Sequence, residues 1–284
     1  MNREQFLEEA INSNCCPANF KAMYTDFQHY QVAAMDTLRE FHRVCEQNGV
    51  LYELAYGSLL GAIRDNGQIP WDYDIDVFVP LDEKGNLIAA LDRDLDKGFY
   101  YYCPEVDKKC RHVIMRLAPK QYNTETLHVD VFFLTGVPTN EEERKRHEAS
   151  IIKASRARYR KLVKVKDQSH GRITTASKLI IQKIPYLFTP EERIQKEYDA
   201  ICNKYPAKDS KLLVSADSFA DWYEFDSEMI YFTELISTDC GEFRIPKQYD
   251  DLLKKMYGDY MKVPPLENRI REMQFHYKRL KSIK

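Results

Sequence analysis

No run in the sequence approaches the ~20 apolar residues that a membrane-spanning helix requires, so no transmembrane segment is expected. The N-terminus, MNREQFLEEAINSN, carries acids where a secretory signal would carry its apolar stretch, and a cytoplasmic location is expected. There is no CxxC pair. The seven cysteines (15, 16, 45, 103, 110, 202, 240) are odd in number and irregularly spaced, which excludes a regular disulfide framework and implies reduced thiols. Cys103, Cys110 and His112 offer three ligands of a zinc site, but no fourth accompanies them. Repeats and low-complexity linkers are absent too, which excludes solenoids and tethered arrays. Tryptophan is scarce, two residues against nineteen tyrosines, so most large ring surface also carries a hydroxyl suited to sugar, base or cation contacts.

What is present suffices for a sizeable core: 284 residues, 44% hydrophobic and 12% aromatic. The formal net charge of -2 hides an uneven distribution. Residues 153–183 carry Lys or Arg at 153, 156, 158, 160, 161, 164, 166, 172, 178 and 183, against Asp167 alone. Residues 268–284 are basic too, with Glu272 the single acid. Residues 71–96 are acidic, through Asp72, Asp74, Asp76, Asp82, Glu83, Asp92, Asp94 and Asp96. Local charge of both signs implies a metal near one region and an anionic partner near the other. No nucleic-acid-binding motif accompanies the basic stretches, so no nucleic acid is expected.

Apolar spacing predicts a helix from Thr25 to about Gln47, ended by Asn48-Gly49. A strand over Val50 to Tyr56 follows, then one or two helical turns from Leu59 to Asp65 closed by Asn66-Gly67. Further strands are expected over Tyr73–Val79, Phe99–Cys103, His112–Leu117 and Leu127–Leu134. Beyond residue 140 the pattern turns to charged helices, Glu141–Lys166 and Pro190–Tyr205. The fold class is α+β (mixed α/β): a mixed sheet with flanking helices over residues 1–140 and a mainly helical region over 141–284 that packs on it.

The chemistry concentrates in WDYDIDVFVP. Residues at i, i+2 and i+4 of a strand share a face, so Asp72, Asp74 and Asp76 are expected to project together. Three adjacent carboxylates repel one another unless a cation lies between them. Mg²⁺ suits such a place because it takes one or two carboxylates plus phosphate oxygens. Asp130, set among Val and Phe in HVDVFFL, is costly to bury ionised without a partner. Beside the first strand it would complete the cluster; alone it would meet an arginine or cap a turn. Gly57-Ser58 ends the Val50–Tyr56 strand and opens a helix, where a bare backbone and free amides can approach a phosphate. Arg64 is either a phosphate clamp or a surface partner of Asp65.

Gly-Ser followed by the hDhDh run Tyr73-Asp74-Ile75-Asp76-Val77 and a later acidic strand resembles the nucleotidyltransferase superfamily. LAYGSLLGAIRDNGQIPWDYDIDVFV, residues 54–79, more closely resembles the LicD/fukutin family, together with HVDVFF at 128–133. The likeness returns in Ile245-Pro246, Tyr249-Asp250 and Tyr257-Gly258-Asp259-Tyr260. It implies an enzyme that moves phosphocholine, or a related phospho-alcohol, from a CDP-activated donor to a hydroxyl of a cell-surface glycan or teichoic-acid-type precursor, releasing CMP. Carried over by position, Asp74, Asp76 and Asp130 would bind Mg²⁺, with Mn²⁺ as a substitute, and Gly57 and Ser58 would cradle the donor's phosphates. The family commonly has an acid where this chain has Tyr73, which leaves the donor open.

Asp130, Asp72 or His128 would accept the proton of the acceptor hydroxyl. Trp71, Tyr73, Trp222 and Tyr223 are the rings available to cage a quaternary ammonium, with Asp221 or Glu224 as balancing charge. The segments 153–183 and 268–284 would hold a lipid-linked glycan acceptor or contact the inner membrane face as a peripheral protein; a solvated helix face explains them as well. Two other functions remain open: a nucleotidyltransferase adding NMP to a protein, RNA or small molecule, and a non-catalytic nucleotide- or glycan-binding relative.

Overall fold

The computed structural model describes residues 1–165, 173–217 and 223–282. Helix α1 (Arg3–Ile11) is closed at its start by a reciprocal cap between Asn2 and Gln5. Helix α2 (Phe20–Asn48) begins earlier than expected, so Thr25 lies within it and donates its hydroxyl to the Lys21 carbonyl. Gly49, at φ 64°, ends it as the sequence suggests. Its inner face buries Phe27, Leu38, Phe41 and Val44, each such side chain contributing roughly 1.5–3 kcal/mol.

The expected strand over 50–56 pairs only as β1 (Glu53–Leu54). It stops there because Tyr56 takes φ 44°, a left-handed backbone that few non-glycine residues adopt. That bend turns the chain into α3 (Tyr56–Leu60), which widens into a π turn at Gly61–Asp65. Asn66, at φ 57°, closes it. Gly61 must be glycine, since a Cβ there would lie 2.5 Å from the Gly67 carbonyl oxygen.

Next come β2 (Ile75–Pro80), α4 (Lys84–Asp94), β3 (Phe99–Tyr102), β4 (Met115–Pro119) and β5 (Val129–Val137). They lie in the order β1-β2-β5-β4-β3, with β2 and β5 parallel and the other pairs antiparallel. Beyond residue 140 stand α5 (Glu141–Leu162), α6 (Ile173–Lys183) and α7 (Glu191–Cys202). The C-terminal region is not only helical. β6 (Leu212–Ser215) pairs with the far end of β5, and β7 (Phe225–Asp226) pairs with β6, so both extend the same sheet. After α8 (Ser227–Tyr231), the hairpin β8 (Thr233–Thr238) and β9 (Gly241–Pro246) folds over the Asn66-Gly67 turn. It is tied there by Asn66 Nδ2 to Asp239 Oδ1 at 2.8 Å and by Arg39 Nε to the Cys240 carbonyl at 2.7 Å. Helices α9 (Tyr249–Tyr257) and α10 (Leu266–Ser282) complete the chain. Apolar side chains from both halves share one core, including Phe78 against Phe225 at 4.9 Å between ring centres.

Candidate active site

The acidic segment is held by a loop rather than by a strand. Strand β2 starts at Ile75, so Asp76 alone of the three early acids lies in the sheet. Asp72 and Asp74 precede it, and strict alternation does not position them. The buried Gln31 of α2 pins the loop instead, its Nε2 donating to the carbonyls of Asp72 (2.6 Å), Ile69 and Pro70 (both 3.2 Å). Tyr24 adds its hydroxyl to the Pro70 carbonyl at 3.0 Å. Within the loop, Asp72 Oδ1 accepts from the backbone N–H of Tyr73 (2.7 Å) and Asp74 (3.2 Å).

A histidine from the far end of the chain completes this group. His276 of α10 places Nε2 3.5 Å from Asp72 Oδ1. One ligand atom each from Asp72, Asp74 and His276 lies within 4.8 Å of the others, the one such grouping of acids, histidines or cysteines among the described residues. Cys103, Cys110 and His112 do not gather in this way. Burial, reinforced by Asp74, pushes the Asp72 carboxyl above the usual carboxylate range, although His276 and backbone N–H groups oppose it. Burial would lower His276, but Glu272, Asp72 and Asp74 outweigh it and raise the imidazole.

Gly57 and Ser58 lie against the same acids. A Cβ on Gly57 would stand 3.5 Å from Asp72 Oδ2, so its bare backbone faces that carboxylate. Ser58 Oγ accepts the Asp76 backbone N–H at 2.8 Å, which joins α3 to the start of β2 and leaves the hydroxyl proton free to donate. A crevice of about 20 Å³ opens here, bounded by Gly57, Ser58, Asp72 and Asp74 on its polar side and by Leu38, Ile69 and Phe243 on the other. That volume holds about one water.

Asp76 and Asp130 sit opposite each other on the neighbouring strands β2 and β5. Their circumstances differ. Asp130 Oδ1 receives Arg116 Nε at 2.9 Å, and Oδ2 lies 3.2 Å from His128 Nε2. Burial alone would raise Asp130, yet His128 and Arg116 outweigh it and hold the carboxyl well below the usual range. Arg116 and His128 thus partner its two oxygens, although beside the acidic strand the expectation for Asp130 is metal ligation. Asp76 has no ion pair among the described residues, and burial with Asp130, Asp74 and Asp72 nearby pushes its carboxyl well upward.

The remaining candidates sit elsewhere. Arg64 is bound to Asp65 at 2.7 Å and lies over the Trp71 ring, so its fork is not open to a phosphate. Trp71 and Tyr73 are 2% and 1% exposed. Trp71 packs on Phe6, and Tyr73 packs between Phe27 and His276, so neither ring presents a face to a quaternary ammonium. Tyr223 packs at the core edge, and its neighbour Glu224 accepts Arg144 Nε at 2.8 Å. Trp222 and Asp221 lie outside the described residues. Of the basic stretch, the buried Arg158 is structural, donating to the Cys110 and Lys108 carbonyls and to Gln195.

Sequence reasoning missed His276, Gln31 and Arg116. His276 is one residue in a basic tail, and only Glu272 one turn earlier hints at a charged face. Gln31 and Arg116 carry no local signature; their roles exist only once the chain has folded.

Residues 49–168 match the family model described as LicD/FKTN/FKRP, nucleotidyltransferase domain. The lipopolysaccharide cholinephosphotransferase LicD of Haemophilus influenzae is 28% identical over 260 residues, covering 84% of this chain and 92% of that protein. Ribitol 5-phosphate transferase FKRP of Homo sapiens is 48% identical over 54 residues, 19% of this chain and 11% of that protein. Mannosyltransferase regulator 4 of Saccharomyces cerevisiae is 30% identical over 63 residues, 22% of this chain and 5% of that protein. No helix among the described residues is long and apolar enough to cross a membrane.

Proposed function

We propose, from the match of residues 49–168 to the LicD/FKTN/FKRP nucleotidyltransferase model, that the chain transfers a phospho-alcohol from a CDP-activated donor to a glycan hydroxyl, with CMP leaving. Phosphocholine is the first candidate, because the relative that spans most of the chain is named a cholinephosphotransferase acting on lipopolysaccharide. The observation that carries the reading is the crowding of Asp72, Asp74 and Asp76 beside the bare backbone of Gly57. Partly buried acids set this close, with Asp72 and Asp76 raised first by burial and then by their acidic neighbours, are a place for a cation.

Asp74 and Asp76 suit a divalent ion, Mg²⁺ or Mn²⁺, since neither has an ion pair to an arginine or lysine among the described residues. Such an ion would neutralise the donor's diphosphate and the charge growing on the leaving oxygen. The crevice is too small for a nucleotide, so the donor would lie across its mouth. There the Gly57 backbone allows close approach and the Ser58 hydroxyl can donate to a phosphate oxygen. The acceptor oxygen attacks the β-phosphorus, the bond to the bridging oxygen breaks, and the acceptor proton passes to Asp72. Asp72 suits that task better than Asp130, whose oxygens are taken by Arg116 and His128. Asp130 instead positions β5 beside Asp76.

The test is a panel of CDP-alcohols incubated with magnesium, enzyme and a glycan acceptor, reading CMP by mass. CMP release that stops with chelator or with Asp74→Ala is the expected result. Pyrophosphate released from a nucleoside triphosphate would favour nucleotidyl transfer, and full activity in Asp74→Ala would remove the site.

A further inference from the structure

Helix α6 and the turn after it present an apolar ridge that nothing among the described residues covers. No residue of α6 is buried. Ile173, Ile180, Ile181 and Ile184 point outward at helical spacing, followed by Leu187 and Phe188, the last 98% exposed. This is not a loose segment. Lys161 of α5 donates Nζ to the carbonyls of Tyr186 (3.0 Å) and Leu187 (2.9 Å), and Lys183 donates to the Val163 carbonyl at 2.8 Å. The fold thus holds a row of large aliphatic and aromatic side chains out into solvent, where each costs free energy.

The charge around the ridge identifies what covers it. From Gln168 to Pro190 the sequence has no acid. Lys178 on α6 and Lys164, next to the Val163 carbonyl that Lys183 holds, are exposed. An apolar ridge that carries lysines and no acid along its own length, with Glu191 and Glu192 only beyond its end, matches the anionic surface of a bilayer, which takes the side chains into its headgroup boundary and pairs the cations with lipid phosphates. A second copy of the chain fits poorly, because two-fold pairing of this ridge would set Lys178 and its neighbours against their own equivalents. We infer that residues 173–188 form an interfacial docking element that seats the protein on an anionic membrane, with Ile180, Ile181, Ile184, Leu187 and Phe188 entering the lipid.

Membrane binding of this kind stands apart from the transfer chemistry and is measured without turnover. Full-length protein would be sedimented with vesicles of phosphatidylcholine alone and with vesicles containing 30% phosphatidylglycerol, at low and high salt. Binding to the anionic vesicles is expected, weakened by salt. Ile181→Ser with Phe188→Ser should reduce the partition constant at least about ten-fold, since the two most exposed of the inserted groups are lost. Both residues are exposed, so an unchanged melting temperature should accompany the loss. As a second readout, Phe188→Trp should shift its emission to the blue on anionic vesicles. No binding to either vesicle, or binding equal in the double serine variant, would overturn the inference. So would a concentration-dependent dimer that the double serine variant abolishes, which would assign the ridge to a second copy.

Discussion

His276 Nε2 stands 3.5 Å from Asp72 Oδ1, joining the C-terminal helix to the loop that opens β2. The imidazole also lies against the Tyr73 ring, 5.3 Å between centres. It therefore both orients the proposed base and closes one side of the acid group. His276→Ala should lower kcat/KM by roughly 10²-fold, the scale of a lost proton-transfer partner, while His276→Gln retains part of the activity. CMP release from both variants under saturating magnesium measures this. Wild-type turnover in His276→Ala would show that α10 only covers the loop.

The hydrogen bond from the Asp76 N–H to Ser58 Oγ makes a second test. Ser58→Ala leaves that buried N–H unpaired, at a cost of about 1–3 kcal/mol, and also removes a phosphate donor. Gly57→Ala separates the two effects. Its new methyl would meet Asp72 Oδ2 at 3.5 Å, an ordinary contact, so the fold should tolerate it. It would still stand where the backbone is proposed to approach the diphosphate. Gly57→Ala should therefore melt near wild type and raise KM for the donor several-fold; an unchanged KM would place the phosphates elsewhere.

The residues that could be read from the sequence are those whose signal is local. Gly49 and Asn66 mark the ends of α2 and of the π turn because their left-handed backbone is a residue-level preference. The β5 strand announced itself through an apolar run interrupted only by Asp130 over 129–134, and the neighbouring pair Asp76 and Asp130 followed once two such strands were adjacent. What could not be read depends on distance along the chain. Nothing near Asp130 says that Arg116 will claim it, and nothing near Asp72 says that Gln31 and His276 will hold it. Strand alternation also failed at Asp72 and Asp74 because the ladder with β5 begins only at Ile75. Two of the four rings expected at the substrate, Trp71 and Tyr73, went to the core because the loop that carries them is buried under α1 and α2.

Arg116 gives a prediction about stability rather than catalysis. Its side chain is buried and bonded to Asp130 and to the Thr124 carbonyl. Arg116→Met would leave a partly buried carboxylate with His128 as its remaining partner, a change that costs less than the roughly 3–5 kcal/mol of breaking a fully buried pair. The double variant with Asp130→Asn should recover much of that loss, because no uncompensated charge remains. Urea unfolding of the two singles and the double yields the coupling, and additive losses would mean that the pair does not act as a unit.

Glu53 offers a pH-dependent test away from the proposed ligands. It lies on β1, is fully buried, and its Oε2 has no hydrogen-bond partner. Burial pushes its carboxyl well above the ordinary value of 4.5. A raised acid opposes folding wherever the unfolded chain has already released the proton. The penalty is therefore absent below about pH 4.5 and grows as pH rises above it, until the folded group also ionises. Glu53→Gln keeps the shape and removes the titration. It should melt close to wild type at pH 4 and higher than wild type at pH 8, with the gap widening steadily between them. A gap of constant size, or one that shrinks with pH, would mean that Glu53 is ionised in the folded protein and stabilised by a cation that the hydrogen-bond network around it does not supply.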